Sequence, residues 1–258
     1  MADGRPLLSA AIIARNEEER LPACLASLRG LVDEIVVVDT LSTDRTVEIA
    51  AAAGARVERR ALDGFGPTKQ HAVDRTGGAW VLSIDADERV SPALAADIRR
   101  ALTAPQAAAG YEIRRRTVFL GRPMRFCGLN DDWVLRLFRR DAGRFTEARV
   151  HERVVVQGAV ERLSGVLEHE TTRSVRDYVE KLERYAALGA DALAARGERY
   201  HWWDVARLPL NWLLYLVVRL AFLDGVPGLI WAAGSAYHSW RKRDLLREHP
   251  AAGPRAAG

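Results

Sequence analysis

The chain has 258 residues, is 48% hydrophobic and 28% charged, and carries a formal net charge of +4. Those values exclude a disordered or fibrous chain and leave room for one large domain, or one domain plus an appendage, with a core large enough to need no staples. Two cysteines, Cys24 and Cys127, stand far apart and fit neither a disulfide scaffold nor a zinc site, so a reducing, cytoplasmic setting is expected.

The first apolar run is too short, and too soon followed by charge, for a signal peptide; it is expected to be a strand. LLSAAIIA, EIVVVD, ARVERR and AWVLSID are short runs rich in Val, Ile and Leu and read as strands. Between the first two, Leu21, Cys24, Leu25 and Leu28 recur at helical spacing. After EIVVVD, Ser42-Thr43-Asp44 offers capping oxygens, Val47, Ala50 and Ala51 form a stripe, and Gly54 ends the helix. Ser91-Pro92 caps another helix, with Leu94, Ile98 and Leu102 inward. Strands alternating with helices, and nearly continuous apolar strands, predict an α/β half with a mostly parallel sheet over residues 1–105. YEIRRRTVFL, WVLRLF, ERVVVQ and VERLSGVL predict a strand-rich extension of the same domain over residues 106–172. Residues 173–250 read as C-terminal helices. Ser174 caps the first, whose stripe runs through Val175, Tyr178, Val179, Leu182, Tyr185, Ala186, Gly189 and Leu193 to Gly197. Beyond it, HWWDVARLPLNWLLYLVVRLAFLDGVPGLIWAAGSAYHSW is apolar and Trp-rich but interrupted by Asn211, Arg219 and Asp224. The apolar runs fall short of a comfortable membrane-spanning helix: helices lying in a membrane face are the first reading, helices packed on the domain the second and true spanning the third. The Ala/Gly/Pro-rich tail, residues 251–258, is expected to be disordered.

Basic clusters at Arg114–Arg116, Arg139–Arg140 and Arg241–Arg243 follow no nucleic-acid-binding module, so no nucleic-acid partner is expected. In an open parallel sheet ligands bind beyond the carboxyl ends of the strands. Polar clusters fall at three such ends: Arg15-Asn16-Glu17, Asp39, and Asp85-Ala86-Asp87-Glu88. Two carboxylates two residues apart can hold one hard cation, Mg²⁺ or Mn²⁺, which keeps phosphate and water in its other positions. An acidic pair capping the next helix has the same sequence.

The runs AAIIARNEEERLPACLASL, EIVVVDTLSTDRTVEIA, GFGPTKQHAV and WVLSIDADERV, in that order, resemble family 2 glycosyltransferases of the GT-A (nucleotide-diphospho-sugar transferase) fold. DDWVLRLFRR, VHERVVV and LEHE look more narrowly like bacterial lipopolysaccharide-core β-1,4-glucosyltransferases. The resemblance implies a nucleotide-sugar donor, UDP-glucose in first place, bound by Arg15, Asn16, Glu17, Asp39, Lys69, Asp85 and Ala86. It implies a divalent cation on Asp87 and Asp85, with His169 as a further ligand and Glu88 as a supporting group. Ser42 and Asp44 would shape the next helix start. Inverting transfer needs a carboxylate to take the acceptor's proton. Glu152 in VHERV is the first candidate and Asp132 the alternative. His-Glu stands where Glu-Asp is commoner, and Leu129-Asn130-Asp131 departs from the aromatic–Pro pair of relatives. His151 is weighed for a site role. Arg136 and Arg139 are read as approaching an acceptor phosphate or as surface residues.

The implied acceptor is a lipopolysaccharide core or another lipid-linked glycan, reached from the cytoplasmic face of the inner membrane by a peripherally attached enzyme. A polyprenyl-phosphate acceptor, a metal-dependent nucleotidyltransferase and a non-catalytic nucleotide-sugar-binding protein are the alternatives. Oligomeric state stays open.

Overall fold

The computed structural model describes residues 7–104, 108–129, 132–147 and 152–248. Chain order gives β1 (Leu8–Ala14), α1 (Leu21–Leu28), β2 (Glu34–Asp39), α2 (Thr46–Ala52), β3 (Arg56–Arg59), α3 (Phe65–Asp74), β4 (Trp80–Ser83), β5 (Glu88–Val90) and α4 (Pro92–Thr103). Then follow β6 (Gly110–Phe119), β7 (Arg122–Pro123), β8 (Trp133–Arg139), β9 (Gly143–Phe145), β10 (Val154–Val156), β11 (Val160–Thr172), α5 (Val175–Ala195), α6 (Arg207–Leu213) and α7 (Gly225–Asp244).

The main sheet has the order β3-β2-β1-β4-β8-β6-β11-β5, with β7 on β6. The β3-β2-β1-β4 block is parallel, and β8 turns the sheet antiparallel against β4. This is the expected α/β fold, a parallel half with a strand-rich extension. Crossover helices explain why: α1 buries Leu21, Cys24, Leu25 and Leu28, all four positions of the predicted stripe. In α4, Ser91 Oγ accepts the Leu94 N–H at 3.2 Å, and Leu94 and Ile98 are buried as expected. The α2 stripe differs. Thr46 and Ala50 face inward while Ala51 is exposed, because the helix starts two residues after Asp44 and its inward face is set by Thr46.

Two compact units result, Met1–Thr117 with Asp131–Glu170, and Val118–Asn130 with Thr171–Gly258. The first has its core between the sheet and α1 and α4, around Leu8, Ile12, Leu28, Leu82, Ile98 and Leu137. The second is centred on Phe119, Tyr178 and Trp231, whose rings meet at 4.7–5.8 Å between centroids. That residues 118–130 join the C-terminal helices was not legible in the sequence. Within this unit Asp224 accepts the N–H groups of Arg125 and Phe126 at 3.0 and 2.8 Å, which ties that loop to the Phe-Leu-Asp-Gly turn. In α5 only Tyr178, Ala186 and Ala190 are buried; Val175, Val179 and Tyr185 of the predicted stripe are exposed. The 251–258 tail, His151 and the Asn130-Asp131 pair lie outside the described residues.

Candidate active site

The parallel strands end in the loops that the sequence singled out. After β1, Asn16 adopts φ 55°, a left-handed backbone that Asn tolerates at little cost. Its N–H donates to Ser42 Oγ at 2.9 Å, its Oδ1 accepts the Thr43 N–H at 2.9 Å, and the Glu17 N–H donates to Thr46 Oγ1 at 2.8 Å. The loops after β1 and β2 thus brace each other. Asp39, at the end of β2, is fully buried, and its carboxylate accepts the Ser42 N–H and Arg59 Nε. Asp44 accepts the Thr46 N–H and hydroxyl and so shapes the start of α2. Arg15 lies exposed beyond β1. Burial raises the Glu17 carboxyl above its ordinary range, against the pull of neighbouring Arg20.

Beyond β4 the chain runs Asp85-Ala86-Asp87 into β5. Ala86 is buried and aims nothing at a ligand, while the two aspartates differ sharply in their company. Asp85 Oδ1 sits 2.8 Å from Lys69 Nζ and its Oδ2 accepts from Arg136 Nη2 at 2.5 Å. Burial pushes this carboxyl up, but the two cations outweigh it and hold it far below the usual carboxylate range. Glu88 closes the cluster from behind. Its Oε2 accepts the Asp85 N–H at 2.9 Å, and its Oε1 accepts from Arg136 at 2.7 Å and Arg115 at 3.4 Å. Burial and the Asp85 charge raise the Glu88 carboxyl, with Arg136 pulling the other way.

Asp87 is no more exposed than Asp85, 25% against 26%, but has a different partner. In the β5–β11 pairing His169 stands opposite Glu88, and the Glu170 N–H donates to the Asp87 carbonyl at 2.8 Å. That register brings His169 Nε2 to 3.3 Å from Asp87 Oδ2, with the two side chains 19% and 25% exposed. Burial raises the Asp87 carboxyl, and the hydrogen bond from His169 more than offsets it, keeping the group below its ordinary range.

Lys69 is not a solvated helix lysine. It is buried on α3, and its ammonium lies 2.8 Å from Asp85 and 3.0 Å from Glu152 Oε1. Glu152 is delivered by the β9–β10 hairpin. Val154 pairs with Phe145, the Thr146 N–H donates to the Arg153 carbonyl at 2.8 Å, and the Phe145 N–H donates to Gln70 Oε1 at 2.8 Å. The hairpin is therefore hooked to α3 one residue from Lys69. Asp132 lies elsewhere in the network, paired with Arg115 at 2.7 Å and half-exposed.

Arg136 is the residue the sequence reading under-used. It is a buried counter-ion for Asp85 and Glu88, not a surface group; Arg139, by contrast, is exposed near Asp141 at 3.9 Å. The available signal was an arginine in the middle of the apolar strand VLRLF, where an isolated charge would cost several kcal/mol. Cys24 lies under the Asp85 carbonyl at 3.6 Å, and burial, with the carboxylates of Glu88 and Asp87, pushes its thiol well above the ordinary range. That makes it an unreactive core group.

The model of the family "Glycosyl transferase family 2" matches residues 9–151. The chain is 30% identical over 253 residues to the lipopolysaccharide core biosynthesis glycosyltransferase LpsC of Rhizobium meliloti, covering 92% of this chain and 93% of that protein. It is 28% identical over 255 residues to an uncharacterized glycosyltransferase of Rickettsia typhi, covering 93% and 87%. Among solved structures, S. aureus TarS 1–349 aligns with a TM-score of 0.49 at 15% identity, covering 92% of this chain and 91% of that one.

Proposed function

The chain belongs to family 2 of the glycosyltransferases, and from that premise we propose that it moves a hexose, with inversion, from a uridine-diphosphate sugar to a hydroxyl of a lipid-linked glycan such as a lipopolysaccharide core. Glucose is the sugar we assign. LpsC, named for core biosynthesis and similar over nearly its whole length, supports the acceptor class. Family membership leaves no place for the nucleotidyltransferase reading.

The observation that carries the mechanism is Lys69, whose one ammonium holds Asp85 of the donor loop and the candidate base Glu152 within 3.0 Å. Among the described residues no cluster of three or more His, Cys, Asp or Glu could hold a metal, but the pair at hand suits one that is also held by substrate. Both oxygens of Asp85 are engaged by cations, so the residues that would hold a cation are Asp87, in the turn before β5, and His169 on β11. Mg²⁺ and Mn²⁺ commonly take few protein ligands and complete their shell with phosphate and water, and imidazole is compatible with Mn²⁺. Bound there, the cation supplies charge neutralisation to the departing diphosphate.

The protein's own residues supply the rest. Glu152 takes the proton of the acceptor hydroxyl as that oxygen attacks the anomeric carbon; the bond from that carbon to the diphosphate oxygen breaks with its electron pair, leaving the nucleoside diphosphate. Lys69, almost shut off from water, stays beside Asp85 and orients the base. Arg136 and Glu88 fix Asp85 from behind, and the Asn16–Ser42 brace shapes the nucleotide pocket with Arg15 and Asp39 near it. Asp132, committed to Arg115 and half-exposed, is the weaker base candidate.

The test is transfer and donor hydrolysis over a panel of nucleotide sugars with EDTA, Mg²⁺ or Mn²⁺. Metal-dependent turnover of one UDP-hexose supports the reading; no turnover of any donor, or turnover indifferent to EDTA, contradicts it.

A further inference from the structure

Fifteen of the twenty-five large apolar side chains exposed among the described residues fall between Trp202 and Leu229. Scattered apolar residues are normal on a surface, but a contiguous patch marks something the surface touches. Neither α6 nor the π-helical turn Leu214–Val218 buries a single residue, and Trp202 is 78%, Val217 61% and Val226 68% exposed. The fully buried positions of α7 are Pro227, Gly228, Ala232, Gly234 and Ala236; Ile230 and Trp231 pack partly buried against the same core, while Val226 and Leu229 point away from it. A water-facing helix buries its large apolar side chains, whereas helices against lipid pack through small ones.

Charge decides what covers this face. Residues 205–223 contain no Asp or Glu, and their only charges are Arg207 and Arg219. At the Trp203 end a cleft of about 380 Å³ is lined by Arg199, His201, Trp203, Arg207 and Arg243 together with Glu198 and Asp204. The two acids are already spent, Glu198 on Arg243 and Asp204 on Arg207 at 2.8 Å, so Arg199 gives the cleft a positive excess. A second copy of the chain would bring the same positive cleft to the contact; an anionic lipid surface complements it. Among the described residues no single helix is long and apolar enough to cross a membrane, and the pair Trp202–Val218 and Ala221–Arg247 is bent by 71° at a break where Leu220 adopts φ 51°. Trp202, Trp203 and Trp212 are of the type that settles at the headgroup level.

We propose that the 202–229 face lies in the headgroup and upper acyl region of an anionic bilayer, with the Arg199–Arg207–Arg243 cleft receiving lipid phosphate. The proposal needs no part of the donor site and stands whichever sugar is moved. Its test is flotation of the full chain with vesicles containing phosphatidylglycerol or phosphatidylcholine alone, beside Leu213→Ser/Val217→Ser/Phe222→Ser and Arg199→Glu, with analytical ultracentrifugation and a thermal melt of each protein. We expect the wild type to float with anionic vesicles, the triple variant to lose at least tenfold in binding with its melt unchanged, and Arg199→Glu to weaken anionic binding several-fold. Absence of wild-type flotation, equal flotation of the triple variant, or a wild-type dimer that the triple variant dissociates without affecting flotation would each overturn it. Metal-dependent donor turnover, measured in parallel, reads the transferase assignment separately.

Discussion

Lys69 and Arg136 divide the work of neutralising an acidic loop that would otherwise repel both a diphosphate and its own carboxylates. Arg136, itself buried, faces the fully buried Glu88 and the part-buried Asp85. Removing one partner of a buried ion pair costs about 3–5 kcal/mol because the other charge is stranded. Arg136→Met is therefore expected to lower unfolding free energy by about that amount in urea titration, and a change under 1 kcal/mol would contradict the burial argument. Asp87 and His169 are partly open, and their removal is a matter of ligand binding. Asp87→Ala and His169→Ala are expected to fold normally but to lose the Mn²⁺-dependent part of donor affinity, read by calorimetric titration with and without metal. The donor loop was readable in sequence because Asp85 and Asp87 follow an apolar strand. The partition between them was not, since it depends on which carboxylate meets the cations of α3 and β8.

Elements set those positions. The β5–β11 register places His169 beside Asp87, and a one-residue slip would send it to the opposite face. The run VERLSGVL announced β11 but not its extension through His169, and the three-residue β5 was not expected as a strand at all; pairing partners far apart in sequence leave no periodic trace. The same is true of the β9–β10 hairpin, whose hook to Gln70 brings Glu152 to Lys69. Close approach of α5 and α7 depends on Gly234, where a Cβ would overlap the Tyr178 ring. Gly234→Ala should cost about 1–3 kcal/mol by overpacking, measured by chemical denaturation. At the start of α2, desolvation raises the Asp44 carboxyl slightly, but the Thr46 hydroxyl and the amides of Glu18 and Thr46 outweigh it and lower it. A carboxyl depressed in the folded state stabilises at pH above its unfolded value and loses that contribution as pH falls through its folded value. Asp44→Asn should thus lower the melting temperature at pH 7 and narrow its gap to wild type below about pH 4. A pH-independent gap would show that the charge is not what matters.

At the scale of the molecule, the α/β half and the site's outline were legible because strand-end polar clusters and motif order survive in one dimension. The C-terminal unit was legible only as apolar helices; which side chains face outward follows from Gly and Ala taking the packing positions in α7. The central claim concerns Glu152, and transfer by Glu152→Gln beside wild type tests it most directly. Donor affinity in Mn²⁺ should stay within about twofold of wild type while transfer to the acceptor falls roughly 10²–10⁴-fold, the usual cost of losing a general base. Transfer within a few-fold of wild type would contradict the account and move the proton to Asp132.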